Sequence, residues 1–269
     1  MPFAEVIGDP IAQSKSPIIH KYWLDQLGIE GDYVRTRVVA GELSDFIARR
    51  RADPDWRGCN VTIPHKQAIM PLLDRIDAGA DAIGAVNCVV PEAAALAGHN
   101  TDIDGVAAAL DSTELDGRKA VVIGAGGGAR AVVAYLARRK AEIVVVVRSP
   151  ARAEELRSLG PVRILPLEQA EDGFQGATAI VNATSMGMAG ADPMPTSLLE
   201  VVRENSAGAV LFDMVTTPVN TEFLARGERA VDGLTMLVGQ ARRAFELFFG
   251  STPPQGDAEL RRLLTGADQ

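Results

Sequence analysis

Ala120-Val-Val-Ile-Gly124-Ala125-Gly126-Gly127-Gly128-Ala129 reads as a short apolar strand, a glycine turn and the opening of a helix. Gly124 allows the tight turn, Gly126 lets the backbone approach a pyrophosphate, and the small Ala129 in the third place lets helix and strand pack closely. The first N–H groups of the helix and the positive end of its dipole would then face the phosphates. A glycine cluster alone is weak evidence. Here an apolar strand precedes it and a helix over roughly 128–139 follows, and that context selects dinucleotide binding.

The next strand distinguishes the two common dinucleotides. Ile143–Val147 is wholly apolar and leads into Arg148-Ser149, with Arg152 one turn further. An NAD site usually ends this strand in an acid that takes the ribose hydroxyls. No acid stands there. Two guanidinium groups and a hydroxyl suit a 2′-phosphate, which arginine grips as a fork, so the expected cofactor is NADP. Taken singly, Arg148 and Arg152 also fit a solvated helix start.

Outward from this unit the chain alternates strands and helices, an α/β pattern. Strands are expected at 3–8, Val34–Val39, Gly58–Ile63, Val86–Val90, Ala177–Asn182 and Val210–Asp213. Helices are expected after Ser16-Pro17, over Glu42–Arg51 and Gly105–Leu110, over 235–249 with apolar spacing at Met236, Leu237, Ala241, Phe245 and Phe248, and over 257–264. The chain has 269 residues, 47% hydrophobic and only 5% aromatic, so the core is mostly aliphatic. Net charge is −8 and the pI is near 5.0, which argues against nucleic acid as a partner. No apolar stretch reaches spanning length, the N-terminus lacks a leader pattern, and Cys59 and Cys88 show no metal or redox spacing. A cytoplasmic setting, no membrane and no metal are expected. The only lysines are Lys15, Lys21, Lys66, Lys119 and Lys140. Lysine can lose a proton where arginine cannot, so each is a candidate for proton transfer.

Three clusters precede the glycine loop: Ser14-Lys15-Ser16-Pro17, Asn60-Val-Thr62-Ile-Pro64-His65-Lys66, and Gly84-Ala-Val-Asn87 with Asn100-Thr101-Asp102. Taken singly, Ser14 and Ser16 fit helix capping and Thr62, Asn87 and Asn100 fit turn backbone. Lys66 fits a solvated helix start and Asp102 a cap. His20 and His65 read as structural.

In combination and in order, with Asn182-Ala-Thr-Ser-Met-Gly187 and Asp232-Gly-Leu-Thr-Met-Leu-Val-Gly-Gln240, these clusters resemble the shikimate dehydrogenase family from Gly8 to Phe249. The resemblance implies reversible NADPH-dependent reduction of 3-dehydroshikimate to shikimate, a step toward chorismate and the aromatic amino acids. It implies Lys66 and Asp102 as the catalytic pair, Ser14 and Ser16 at the substrate carboxylate, and Thr62, Asn87 and Gln240 at the ring hydroxyls. Gly124, Ala125, Gly126, Gly127, Gly128, Ala129, Arg148, Ser149 and Arg152 would hold NADP, with Thr184, Ser185, Met186, Gly233 and Met236 near the nicotinamide. The chain departs from the family pattern at Thr216, where tyrosine is usual, at Val147, where asparagine is usual, and at Ile103, where glycine is common.

The resemblance implies two α/β domains with a cleft between them. Residues 1–103, completed by helices from 237–269, would form the substrate domain, and residues 104–236 a Rossmann-like doubly wound NADP domain. The partner would be a small molecule, the assembly a monomer or homodimer. The alternatives are a dehydrogenase of quinate or a related cyclic polyol acid, and a non-catalytic ligand sensor, which an intact Lys66 and Asp102 argue against.

Overall fold

The computed structural model describes residues 1–93 and 95–266. Ala94 and residues 267–269, which the sequence reading places in the substrate domain, lie outside the described residues. The chain divides into two compact units, Met1–Thr101 with Gln240–Gln269, and Asp102–Gly239.

In the second unit, α5 (Asp102–Leu110) leads to β7 (Lys119–Ile123), α6 (Gly127–Arg138), β8 (Glu142–Val147), the short α7 (Pro150–Ala153) and β9 (Val162–Pro166). Then follow α8 (Ala170–Phe174), β10 (Ala179–Asn182), α9 (Thr196–Asn205), β11 (Val210–Asp213) and β12 (Arg229–Val231). The six strands pair in the order β12-β11-β10-β7-β8-β9, all parallel. Read from the other edge this is the 3-2-1-4-5-6 order of a doubly wound dinucleotide fold, whose winding reverses between β7 and β10. The central strands are apolar because helices cover both faces: Val121, Val122, Val144, Val145, Ile180 and Val181 are inaccessible to solvent. Ala129, also fully buried, sits in the core cluster on one face, as the expected close packing of α6 requires.

In the first unit, β1 (Phe3–Gly8), α1 (Ser16–Leu27), β2 (Asp32–Arg37), α2 (Leu43–Arg51), β3 (Trp56–Val61) and the single-turn α3 (His65–Ala68) come first. They are followed by β4 (Arg75–Ile76), α4 (Ala78–Ile83), β5 (Cys88–Glu92) and β6 (Ala95–His99). The sheet order is β2-β1-β3-β5-β6-β4. β1 pairs in parallel with β2 and β3, whereas β5 runs antiparallel to both β3 and β6. The carboxyl ends of β1, β3 and β6 and the amino end of β5 therefore share one edge. α10 (Gly233–Phe249) enters this unit at Gln240, and α11 (Ala258–Thr265) closes it. α11 is capped by Asp257, whose side chain accepts from Leu260 N–H at 2.8 Å. Lys15 Nζ donates to the Leu264 carbonyl at 2.9 Å, a cation at the negative end of that helix. Among the described residues no helix is long and apolar enough to cross a membrane.

Candidate active site

The glycine turn lies at the winding reversal of the second unit. Gly124 has φ +111°, a conformation open to glycine, and a Cβ there would stand 2.7 Å from Thr184 Cγ2 and 3.1 Å from the Ala183 carbonyl oxygen. The turn thus lies tight against the loop after β10. Gly126 is the N-cap of α6 and supplies no side-chain cap, and a Cβ on it would meet nothing within 4 Å. The first N–H groups of α6 are left for an outside acceptor. Gly127, Gly128 and the half-buried Ala125 complete the turn.

At the tip of β8, Val147 is buried and Arg148, Ser149 and Arg152 are exposed. Ser149 stands at the N-cap of α7 but makes no capping bond. Neither Arg148 nor Arg152 has a salt bridge or side-chain hydrogen bond within the described chain, unlike Arg157 on Glu154 at 2.7 Å. Two cations without internal partners at an acid-free tip fit a phosphate monoester.

The loops after β10 and β11 are fixed by a buried network that the sequence reading did not assign. Asn182 Nδ2 donates to Asp213 Oδ1 at 2.9 Å. Val215 N–H reaches the same oxygen at 3.0 Å, and Thr221 donates to Oδ2 at 2.6 Å. Burial raises the Asp213 carboxyl pKa, and those three bonds oppose the rise. Asn182 Oδ1 accepts from the Thr184 hydroxyl at 2.7 Å and its backbone N–H at 3.1 Å, and Met186 N–H donates to Thr184 Oγ1 at 3.1 Å. Thr184, Ser185 and Met186 are held in one hydrogen-bonded loop. Gly233 packs so closely that a Cβ would lie 2.4 Å from the Val215 carbonyl oxygen. Met236 is 6% exposed and belongs to the core cluster beside β7 and β11. The only advance signal for this network was an acid and an amide closing two otherwise apolar strands.

In the first unit the polar residues gather at the shared sheet edge. Ser14 and Ser16 follow β1, with hydroxyl oxygens 3.3 Å apart. Lys15 is the N-cap of α1 and makes no side-chain cap bond, Ser16 is the first helical residue, and Ser14 Oγ accepts from the Ser16 N–H at 3.4 Å. Arg35 braces the turn by donating to the Ser14 carbonyl at 2.8 Å. Thr62 follows β3, tied by its N–H to the Ile7 carbonyl at 2.9 Å. Lys66 is on α3, half-buried, its carbonyl accepting from Val86 N–H at 2.8 Å. Asn87 stands just before β5 and is 2% exposed. Its Oδ1 accepts from Thr101 N–H at 2.7 Å, and its Nδ2 donates to Gln240 Oε1 at 3.1 Å. Asn60 and Tyr33 join this set, Tyr33 donating to Asn60 Oδ1 at 2.6 Å and Asn60 Nδ2 to the Asn87 carbonyl at 3.2 Å. Asp102, 2% exposed, is the first residue of α5 and of the second unit.

His65 and His20 are both structural. His65 Nε2 pairs with the Val38 carbonyl at 2.6 Å. His20 is fully buried among Trp23, Tyr33, Phe245 and Phe248, and burial lowers its pKa to about 3. Cys59 and Cys88 are free and buried thiols.

A model of the shikimate dehydrogenase substrate binding domain matches residues 6–89, one of shikimate / quinate 5-dehydrogenase residues 107–221, and one of the shikimate 5'-dehydrogenase C-terminal domain residues 233–258. A shikimate dehydrogenase (NADP(+)) of Sphingopyxis alaskensis is 48% identical over 272 residues, covering 98% of this chain and 97% of the relative. The solved shikimate 5-dehydrogenase of Thermus thermophilus, in complex with NADP(H) and shikimate, is 34% identical with a TM-score of 0.85, covering 99% of this chain and 100% of that one. A 5-ketofructose reductase of Gluconobacter is 29% identical with a TM-score of 0.83, covering 99% and 98%. Spanning both units and coinciding with the glycine turn and the polar sheet edge, these likenesses place the chain in the shikimate dehydrogenase family.

Proposed function

We propose that the chain is an NADP-dependent shikimate dehydrogenase. The observation that carries the reading is the convergence of Ser14, Ser16, Thr62, Lys66, Asn87 and Gln240 on one edge of the first unit's sheet. Such an edge offers hydroxyls to a carboxylate, amides to ring hydroxyls and one ammonium to a reacting oxygen. The first unit is thus the substrate domain and the second the cofactor domain.

Gly124–Ala129 and the N-terminus of α6 would hold the pyrophosphate, with Arg148, Ser149 and Arg152 at the 2′-phosphate and the Thr184–Met186 loop, Gly233 and Met236 toward the nicotinamide. When bound, NADP takes or supplies the hydride. Lys66 takes the hydroxyl proton as shikimate is oxidised. In the reverse direction its ammonium hydrogen-bonds the carbonyl oxygen, stabilises the developing negative charge and returns the proton. Asp102 orients the ammonium and accepts from a substrate hydroxyl. Ser14 and Ser16 donate to the carboxylate, and Thr62, Asn87 and Gln240 position the ring.

A second reading, oxidation of quinate or another cyclic polyol acid, draws on Thr216. A threonine reaches less far than the usual tyrosine, which leaves room for a larger or differently hydroxylated ring. Initial rates of reduced-nicotinamide formation with shikimate and with quinate, each with NADP and with NAD, separate the two. The highest efficiency is expected for shikimate with NADP. Turnover of quinate alone would install the second reading, and equal use of NAD would remove the role given to Arg148 and Arg152.

A further inference from the structure

Tyr33 is one of three tyrosines in the chain and is fully buried in the first unit. Its ring lies flat on the His20 imidazole, centroids 3.9 Å apart and planes 5° from parallel. The direction of its hydrogen bond to Asn60 follows from the neighbours. Asn60 meets the Asn87 carbonyl, and a carbonyl can only accept. The amide must turn Nδ2 toward Asn87 and Oδ1 toward Tyr33, so Tyr33 is the donor. His20 lies on α1, whose first residue is Ser16, so the stack ties the Tyr33 ring to the helix that carries the serine turn. Asn87 is fixed by similar logic. The Thr101 backbone N–H can only donate and meets Oδ1, so Nδ2 faces Gln240. Gln240 then presents its oxygen inward, leaving its own Nε2 donors turned from Asn87.

Tyr33 thus touches both halves of the polar edge: its ring stacks on His20 of α1, which opens at Ser16, and its hydroxyl fixes Asn60, whose amide donates to the Asn87 carbonyl. Asn87 in turn donates to Gln240. Burial pushes the Tyr33 phenol pKa well above the ordinary value, so it remains a donor over the working pH range. The His20 stack keeps its ring from turning.

We propose that Tyr33 is a positioning residue for substrate: its ring braces α1, which carries the Ser14–Ser16 turn, and its hydroxyl locks the Asn60 amide against the Asn87 carbonyl. The inference rests on the substrate roles proposed above for Ser14, Ser16, Asn87 and Gln240. A rigid ring acid needs its two sets of contacts at one spacing, and loss of the link loosens the match without touching the reacting oxygen.

Tyr33→Phe keeps the ring and the stack and removes one oxygen. KM for shikimate is expected to rise about 5- to 10-fold, as for one net hydrogen bond, with kcat changed less than about twofold and NADP binding unchanged. If Tyr33 acts through Asn60, the double variant with Asn60→Ala is no worse than Asn60→Ala alone. A measurement that needs no substitution at Tyr33 uses the chain labelled with 3-fluorotyrosine, its resonances assigned with Tyr22→Phe and Tyr135→Phe. The Tyr33 resonance is expected to move on adding shikimate and to stay with NADP alone. An unchanged KM in Tyr33→Phe, additive losses in the double variant, or a Tyr33 resonance indifferent to shikimate overturns the inference. Asn87→Ala separates the two levels. If it raises KM and Tyr33→Phe does not, only the role of Tyr33 falls; if neither does, the proposed substrate site falls with it.

Discussion

Replacing His20 with phenylalanine should make the first unit more resistant to acid. His20 lies in a cage of Trp23, Tyr33, Phe245 and Phe248. Neither ring nitrogen has a hydrogen-bond partner. Burial is the whole cause of its lowered pKa, about 3 against an ordinary 6.5. The native state therefore refuses a proton that the unfolded chain accepts. The stability that neutral His20 permits is complete above about pH 6.5 and drains away as the pH falls toward 3. Each pH unit inside that window is worth about 1.4 kcal/mol, so between pH 7 and pH 5 the loss from this one group is about 2 kcal/mol. Carboxylates add their own pH dependence, and the difference between wild type and His20→Phe cancels it. The assay is urea unfolding followed by tryptophan fluorescence at the two pH values. Both tryptophans, Trp23 and Trp56, lie in the first unit, so the signal reports that unit. The drop in unfolding free energy from pH 7 to pH 5 should be about 2 kcal/mol smaller in the variant, with unchanged denaturant slope. Equal drops in the two proteins would mean that His20 titrates normally or opens to water, and the burial argument would fail.

Arg148→Ala should weaken NADP binding roughly tenfold to a hundredfold, the range for a charge-assisted contact once ligand covers it, and leave NAD binding almost unchanged; isothermal titration with both nucleotides decides. Thr216→Tyr should lower KM for shikimate or leave it alone, because in the proposed site the polar edge of the first unit would already fix the ring. A large rise in KM would mean that the pocket around Thr216 is shaped for another substrate.

What the sequence made visible follows from where each signal is written. β7, β8 and β11 are buried parallel strands, so each is an apolar run between charged or turn residues, and each lay within a residue or so of its expected place. β9 and β12 are the edges of the same sheet. Arg229 and Ala230 are exposed, and three residues of mixed polarity carry no period to detect. β6 contains Gly98, whose Cβ would strike Leu73 and Val86, and glycine there obscures a strand that pairing with β5 stabilises. The glycine turn was legible because its chemistry is local, all within ten residues. The substrate edge was legible only through the resemblance. Asn60 and Tyr33 are 27 positions apart, and Asn87 and Gln240 are 153 apart, so no spacing rule connects them. Ser14 and Ser16 show the limit of local reasoning: that spacing suggests capping, and Ser14 does accept from the first N–H of α1 at 3.4 Å, but nothing local places the two hydroxyls at the sheet edge.

The central claim is that Lys66 carries the proton in NADP-linked oxidation of shikimate. Its most direct test is kcat for NADPH formation from shikimate in wild type and Lys66→Arg, measured side by side with NADP binding by fluorescence. Arginine keeps the positive charge and cannot lose its proton near neutral pH. The wild type should turn over, and Lys66→Arg should bind NADP normally while losing about 10²- to 10⁴-fold in kcat, the usual worth of a positioned proton transfer. Near-normal kcat in Lys66→Arg would show that charge alone suffices and would contradict the role given to Lys66.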